Sequence, residues 1–392
     1  MLKKTKSNEI LKYSYYNSID SVPDIDWMTT HPKYNLFFSK SYLSVLEKSL
    51  ATTILSQYIL FFKNDVPVGF AVVQHFKFNS SQLSLKELPC TISTTVKHTI
   101  FKNSDVNVLI CGNLFSCGEH GFIFNYDQIN KATAFELLSK ALLNINTVEK
   151  TASKPSFILL KEFWPNSSWV GNYLKESDFK VFEIDANMVL KLQSHWHTFD
   201  NYLESLRTKF RTRQKKIFQK SATLQVHDFK ANDIDIYADD INRLYLSVLE
   251  KADFKLGKLS ATTFKNLKAT LGTQFIFSGY FLNQKLIGFS TAFVLDHAIE
   301  ANHIGIDYTY NKKYALYQKM LFDYVNMAIT RKVKELRLGR TADTIKSTIG
   351  AQPMDMKLYV RHRNPISNTL LKPLIELISP RTYEIRNPFK KT

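Results

Sequence analysis

The pattern of apolar and polar positions repeats one phrase twice. Around Gly69 the chain reads FFKNDVPVGFAVV, and around Gly288 it reads YFLNQKLIGFSTAFV, 219 residues later. Each copy has β-branched and aromatic residues on both sides of a polar dipeptide, Asn64-Asp65 or Asn283-Gln284, and predicts a β-hairpin. The spacing is too long for a solenoid and predicts two copies of one domain.

The remaining pattern gives the same order of elements in each half. The first half predicts a helix over 38–50, the hairpin over 57–76, a buried strand over 106–113 and a helix over 129–143. A strand over 157–163, a short helix over 167–177 and two strand-like runs within 179–192 complete it. The second half predicts helices through 199–270, the hairpin over 274–294, strands over 298–307, 334–339 and 356–363, and a helix over 316–330. Alternating strands and helices give an α/β (α+β) class, with a mixed, mostly antiparallel sheet flanked by helices in each domain. The heptapeptide YLSVLEK also occurs twice, at 42–48 and 245–251, but its offset is 203. The duplication is therefore read from the hairpins.

Charge separates the two copies. The 392 residues carry a formal net charge of +17, of which residues 1–196 hold +3 and residues 197–392 hold +14. A basic second half implies an anionic partner without choosing among a phosphorylated cofactor, nucleic acid and an acidic membrane surface. With 44% hydrophobic and 13% aromatic residues, two sizeable cores are expected. Cys90, Cys111 and Cys117 read as free thiols of a reducing compartment. Cys111, Cys117 and His120 lack a fourth ligand nearby, so no metal is expected. The N-terminus has the charges of a signal peptide without its apolar core, and no apolar run reaches the roughly 18 residues of a membrane span. A cytoplasmic protein is expected.

The order helix, hairpin, strand, helix, strand and terminal strand, with HIGID at 303–307, NKKYALYQKML at 311–321, LGRTADTIKSTIGA at 338–351 and MKLYVRHRN at 356–364, resembles GNAT acyltransferases. Two such domains resemble the Fem-type, BioF2-like double-GNAT branch, as does the basic helix over 202–216. The resemblance covers nearly the whole chain. It implies a near-neutral, structural or acceptor-shaping domain over 1–195 and a basic, active domain over 196–392. It also implies transfer of an acyl group from a thioester, acyl-CoA or an acyl-carrier protein, to a small-molecule or lipid amine in bacterial lipid or cell-envelope metabolism. No permanently bound cofactor and no DNA are expected. Two alternatives stay open: a Fem-type aminoacyl transferase drawing on tRNA, and an inactive GNAT-fold scaffold.

One departure from the GNAT pattern is plain. The phosphate turn of those enzymes is glycine-rich, because glycines let backbone N–H groups converge on phosphate. Here no glycine occurs from Asp307 to Ile329, and Lys312, Lys313, Tyr314 and Ala315 stand where the turn would be. The lysines supply charge to the donor's phosphates on one reading and are a solvated loop on the other.

N-acyl transfer calls for a base, an oxyanion donor and an acid for the departing thiolate. His303 is the first candidate base, followed by Asp307 and Glu300. Strand alternation puts His303 with Ala301, Gly305 and Asp307 and sends Glu300 and Asn302 the other way. The resemblance implies Tyr359 as the acid. Gly339, Arg340, Thr341, Lys346 and Ser347 suit an anion or a substrate carboxylate or phosphate. Each of these has a plain structural reading as well.

Two more basic segments have more than one reading. Thr198 can cap a helix whose apolar stripe leaves Arg207, Lys209, Arg211, Arg213, Lys215, Lys216 and Lys220 exposed, a face for tRNA, DNA, anionic lipid or solvent. The segment 368–391 suits either core docking or peripheral contact with the inner face of a membrane.

Overall fold

The computed structural model describes residues 9–31, 34–79, 105–145, 154–251, 257–376 and 384–390. Cys90 and residues 377–383 and 391 of the C-terminal segment lie outside them.

Both hairpins form, and they match in detail. β2 (Ile54–Lys63) turns into β3 (Val66–Asn79), and β9 (Phe275–Leu282) turns into β10 (Lys285–Val294). The turn residues Asn64, Asp65, Asn283 and Gln284 all have φ between 47° and 66°, as a two-residue turn following the right-handed twist of its strands requires. Each hairpin then carries one extra residue at the same place. Phe61 faces Gly69 while Phe62 faces Pro67, so Val68 bulges; Tyr280 faces Gly288 while Phe281 faces Leu286, so Ile287 bulges. Both bulged side chains are buried. The glycine after each bulge allows a close approach: a Cβ on Gly69 would lie 2.3 Å from the Phe124 ring, and one on Gly288 would lie 2.8 Å from Met320.

The chain divides into two compact units, Met1–Glu183 with Lys357–Ser379, and Ile184–Met356 with Pro380–Thr392. This division differs from the expected boundary at 195/196, because the chain changes unit inside two strands. Those strands are β7 (Lys180–Lys191), which is one continuous strand rather than two runs, and β13 (Gln352–His362).

In the first unit the strand order is β1 (Leu11–Tyr16), β2, β3, β4 (Asp105–Cys111), β6 (Phe157–Phe163), then residues 357–362 of β13, with β5 (Phe122–Phe124) on β3. β4 and β6 are parallel and the other pairs are antiparallel. The helix Lys131–Asn144, capped by the Asn130 side chain on Thr133 N, packs Phe135, Leu138, Ala141 and Leu142 into a core with Ile59, Phe61, Phe124 and Ile158. Each such large apolar side chain contributes about 1.5–3 kcal/mol by leaving water.

In the second unit the order is β8 (Gln225–Asp228), β9, β10, β11 (Ala298–Ile306), β12 (Glu335–Arg337), then β7. β11 and β12 are parallel; the others are antiparallel. The central helix Leu316–Thr330 buries Leu321, Val325, Ala328 and Ile329 against Ile299 and Leu336. Helices Ala238–Glu250 and Ala261–Leu271 complete the unit's aromatic packing, with Tyr245 and Phe264 against Phe289 and Phe277.

The basic helix starts later than expected. Thr198 does cap a helix, in a capping box with Asn201, but that helix is Phe199–Ser205. Leu206 leaves helical geometry to bridge to Phe389, and Arg207 N donates to Pro388 O at 2.8 Å. A second helix, Thr208–Lys220, carries the cations. Burying Leu206 against the C-terminal segment thus outweighs continuity of the helix.

Candidate active site

β11 and β12 pair only over Ala298–Glu300 and Glu335–Arg337. Beyond that β11 stays with β10, while the chain after Arg337 follows β7, where Leu338 N donates to Met188 O and Met188 N to Gly339 O. The two parallel strands therefore part at their carboxyl ends, which is where open α/β sheets bind ligands. The opening is bordered by Ala301–Ile304 on one side and by residues 338–342 on the other.

A bulge sits on the β11 side of that opening. Ser290 faces Ile304 and Ala292 faces Ala301, so Thr291 stands opposite both Asn302 and His303. Thr291 Oγ1 closes the irregularity, accepting from His303 N at 2.8 Å and donating to His303 O at 3.0 Å. Bulges re-aim side chains, and this one corrects the expected alternation. Ile299 and Ala301 pack toward the central helix, as do Ile304 and Ile306. Ala301 is thus off the His303 face, and Glu300, 2% exposed, joins it.

His303 and Asp307 do share a face, beneath the helix Ala238–Glu250. The Tyr245 hydroxyl and His303 Nδ1 share a hydrogen bond of 3.1 Å, and the imidazole lies 5.4 Å from the Tyr245 ring and 5.7 Å from Phe264. Burial lowers the His303 pKa to about 3. An imidazole held neutral in this way is a weak base toward an ammonium. Asp307 caps the helix Tyr308–Tyr314, accepting from Thr309 N at 3.1 Å and Thr309 Oγ1 at 2.6 Å, with Arg243 and Lys285 each 3.6 Å away. Burial alone would raise its pKa; the Thr309 hydrogen bonds and the two cations outweigh burial and lower it.

The glycine-free stretch before the central helix folds as helix rather than as a phosphate cradle. Tyr308–Tyr314 ends at Ala315, which takes the left-handed conformation (φ 49°, ψ 40°) in place of a glycine. Lys312 and Lys313 are exposed, and Lys313 Nζ lies 5.2 Å from the Tyr314 ring. Tyr317 N donates to Asn311 Oδ1 at 3.0 Å, and burial first, then the Asp343 charge, raises the Tyr317 pKa.

The segment 339–347 is a loop held from inside. Gly339, Thr341 and Ala342 have φ of 69°, 67° and 53°. The Lys346 ammonium, 4% exposed, donates to Gly339 O at 3.2 Å and Arg340 O at 2.7 Å. Ser347 Oγ donates to Thr344 O and accepts from Arg386 N. Lys346 and Ser347 therefore shape the loop; both are buried, Gly339 and Arg340 are half-buried, and Thr341 is exposed.

Tyr359 belongs to the first unit, 2% exposed, with its ring 5.1 Å from Phe163. A Cβ on Gly171 would come within 2.6 Å of its hydroxyl. Burial, then Glu119, raises its pKa, which suits packing better than proton donation. The first unit also holds a buried pair that sequence reasoning passed over: Lys161 Nζ lies 3.3 Å from Glu162 Oε1. Beside it Gly118 N donates to Glu162 Oε2 at 3.4 Å, and Trp164 N donates to Glu119 at 3.0 Å. Cys111 is buried, and His120 Nε2 bonds Cys117 O at 2.8 Å; among the described residues no cluster of three or more His, Cys, Asp or Glu suits a metal.

Tyr245, Thr291, Tyr317 and Asp343 also escaped the sequence reading. Tyr245 was within reach, since it opens the second YLSVLEK heptapeptide.

No protein-family model and no curated protein matches the sequence. Among solved structures the chain is similar to FemX, with 11% identity and a TM-score of 0.54, over 90% of this chain and 97% of that one. It is similar also to a conserved protein of unknown function from Bacteroides thetaiotaomicron, at 10% identity and a TM-score of 0.50, over 89% and 99%. A tandem GNAT protein from the clavulanic acid pathway aligns at 10% identity and a TM-score of 0.49, over 91% and 99%. Likeness at such identities speaks for the fold alone: the chain has a fold like that of FemX. Among the described residues no helix is long and apolar enough to cross a membrane.

Proposed function

We propose that the protein is an N-acyltransferase that moves an acyl group from a thioester to an amine, with the second unit as the catalytic one. The observation that carries this reading is the parting of β11 and β12 beside a bulge, within a GNAT-like fold. A thioester laid along β11 would have its carbonyl polarised by strand N–H groups. The deprotonated amine attacks the carbonyl carbon, the C–N bond forms, the C–S bond breaks, and the thiolate takes up a proton. With His303 held neutral, we assign it and Tyr245 to positioning the strand, and rate enhancement chiefly to orientation. Arg340 and Thr341 would orient an anionic group of a substrate, and Lys312 and Lys313 the donor's phosphates.

The donor would be acyl-CoA or an acyl-carrier protein and the acceptor a small-molecule or lipid amine, in the cytoplasm or at the inner face of the membrane. Calorimetric titration with coenzyme A and acyl-CoA, together with thiol release on adding amines, tests it. Heat from acyl-CoA and amine-dependent thiol release are expected. Neither signal, with no acyl-carrier protein bound, would sink the reading and leave a GNAT-fold scaffold. A second reading, aminoacyl transfer from tRNA, is favoured by the basic helix Thr208–Lys220, whose thirteen residues include no acid; copurifying RNA lost steeply with salt would support it.

A further inference from the structure

The basic helix begins at a cleft that the acyl-transfer reading does not use. About 420 Å³ in volume, it is lined by Arg207, Lys209, Phe210, Glu384, Ile385, Arg386 and Asn387. That volume falls within the range of small-molecule sites. Three cations face one carboxylate there, and the Glu384 carboxylate is engaged by Arg386 at 3.3 Å. The Arg207 guanidinium lies 5.4 Å from the Phe210 ring, which holds it in place. Arg386 Nε is buried and makes no hydrogen bond among the described residues. An arginine N–H held dry in this way is costly unless an acceptor completes it. The backbone of the cleft is firmly built: Arg207 N donates to Pro388 O, and Arg386 N donates to Ser347 Oγ.

We propose that this cleft binds the phosphate group of a phosphate ester, either a phospholipid headgroup or a soluble metabolite. Arg207 and Arg386 would grip the phosphate oxygens, which suit the guanidinium fork. Lys209 adds charge, Asn387 bonds a neighbouring hydroxyl, and Phe210 with Ile385 forms an apolar wall. The apolar face of the helix is docked inward through Phe210, Ile217 and Phe218. A membrane would therefore be met by charge alone, one headgroup entering the cleft.

The test compares two variants of the full chain that remove equal charge. Arg207→Gln with Arg386→Gln empties the cleft of its guanidinium groups; Lys215→Gln with Lys220→Gln removes two lysines further along the same helix. Binding of sn-glycerol 3-phosphate is read by calorimetry, and sedimentation with phosphatidylglycerol vesicles is compared with phosphatidylcholine vesicles. The cleft variant should lose at least about tenfold in affinity and the distal one less than about twofold. Soluble-ester binding with no vesicle preference identifies a metabolite, and vesicle binding competed by the ester identifies a headgroup. Equal losses in both variants, or no binding of either probe by the unaltered protein, would overturn the proposal. Unchanged melting temperatures keep misfolding from mimicking the expected loss.

Discussion

The two units share a frame and differ in what they bury. Their hairpins agree to the residue, with the same turn and the same bulge before Gly69 and Gly288, and among the described residues each unit has one parallel strand pair, β4 with β6 or β11 with β12. Around that pair the contents diverge. In the first unit the ends of the parallel strands are filled by a charged pair, Lys161 and Glu162, and by the loop carrying Gly118, Glu119 and His120. In the second unit they part next to a bulge, with a loop shaped by Lys346 on the far side. The scaffold is common to both units, and the polar residues at the strand ends give each its own character.

The largest effect expected from separating the copies is on the buried pair. Lys161→Met leaves the Glu162 carboxylate, about 2% exposed, without its ammonium, and should destabilise the first unit by about 3–5 kcal/mol. Hydrogen exchange should rise in Phe157–Phe163 and stay unchanged in Ala298–Ile306. A uniform rise would mean that the units unfold together. Lys346→Met, whose ammonium meets carbonyl oxygens, should cost about 1–3 kcal/mol in the second unit, seen as faster exchange at 339–347.

The bulge glycines give the next contrast. At Gly69 an added Cβ meets the rigid, buried Phe124 ring at 2.3 Å, whereas at Gly288 it meets the flexible ends of Met320 and Leu316 first. Gly69→Ala should cost about 1–3 kcal/mol and Gly288→Ala less, by urea unfolding. Equal costs would mean that the backbone, Gly305 O at 3.1 Å, decides at Gly288.

The last contrast is in pH. Burial lowers His75 in the first unit to about 4, aided by Arg363, and His303 in the second to about 3. Both lie below the unfolded value, near 6.5, so the unfolded chain binds more protons as pH falls. Their stabilisation is complete above about pH 6.5 and is lost by about 1.4 kcal/mol per pH unit for each group below it. The loss from His75 should level off near pH 4 while that from His303 continues toward 3. Histidine ring resonances should show no titration of His303 between pH 5 and 8; a midpoint near 6.5 would restore it as a candidate base.

Much of the fold was legible because its signals are local. Type I′ turns need polar residues tolerant of positive φ, and Asn64-Asp65 and Asn283-Gln284 announce themselves. The central helix was legible over its whole length, 316–330, from apolar spacing. What escaped depends on distant partners. Nothing near Leu206 says that Phe389 will draw it out of a helix, and nothing near His303 says that Thr291 will close a bulge and reverse the face of Glu300. His303, Asp307 and Lys346 were picked for chemistry; Tyr245, the Thr309 cap and loop carbonyls then gave each a partner that sequence spacing does not encode. Tyr359 was assigned to the second domain because it follows it in sequence, yet its strand changes unit at Lys357.

That change of unit bears on how the chain is made. Residues 357–362 of β13 pair with β6, some two hundred residues earlier. At a synthesis rate of about 5–20 residues per second, β6 waits on the order of ten seconds or more for its neighbour. Until then it presents an open strand edge rich in Phe, Ile and Leu, the kind of surface to which other nascent chains add. Production of this protein should accordingly depend on whatever shields that edge during translation, and a chain cut before residue 357 should aggregate rather than accumulate as a folded first unit.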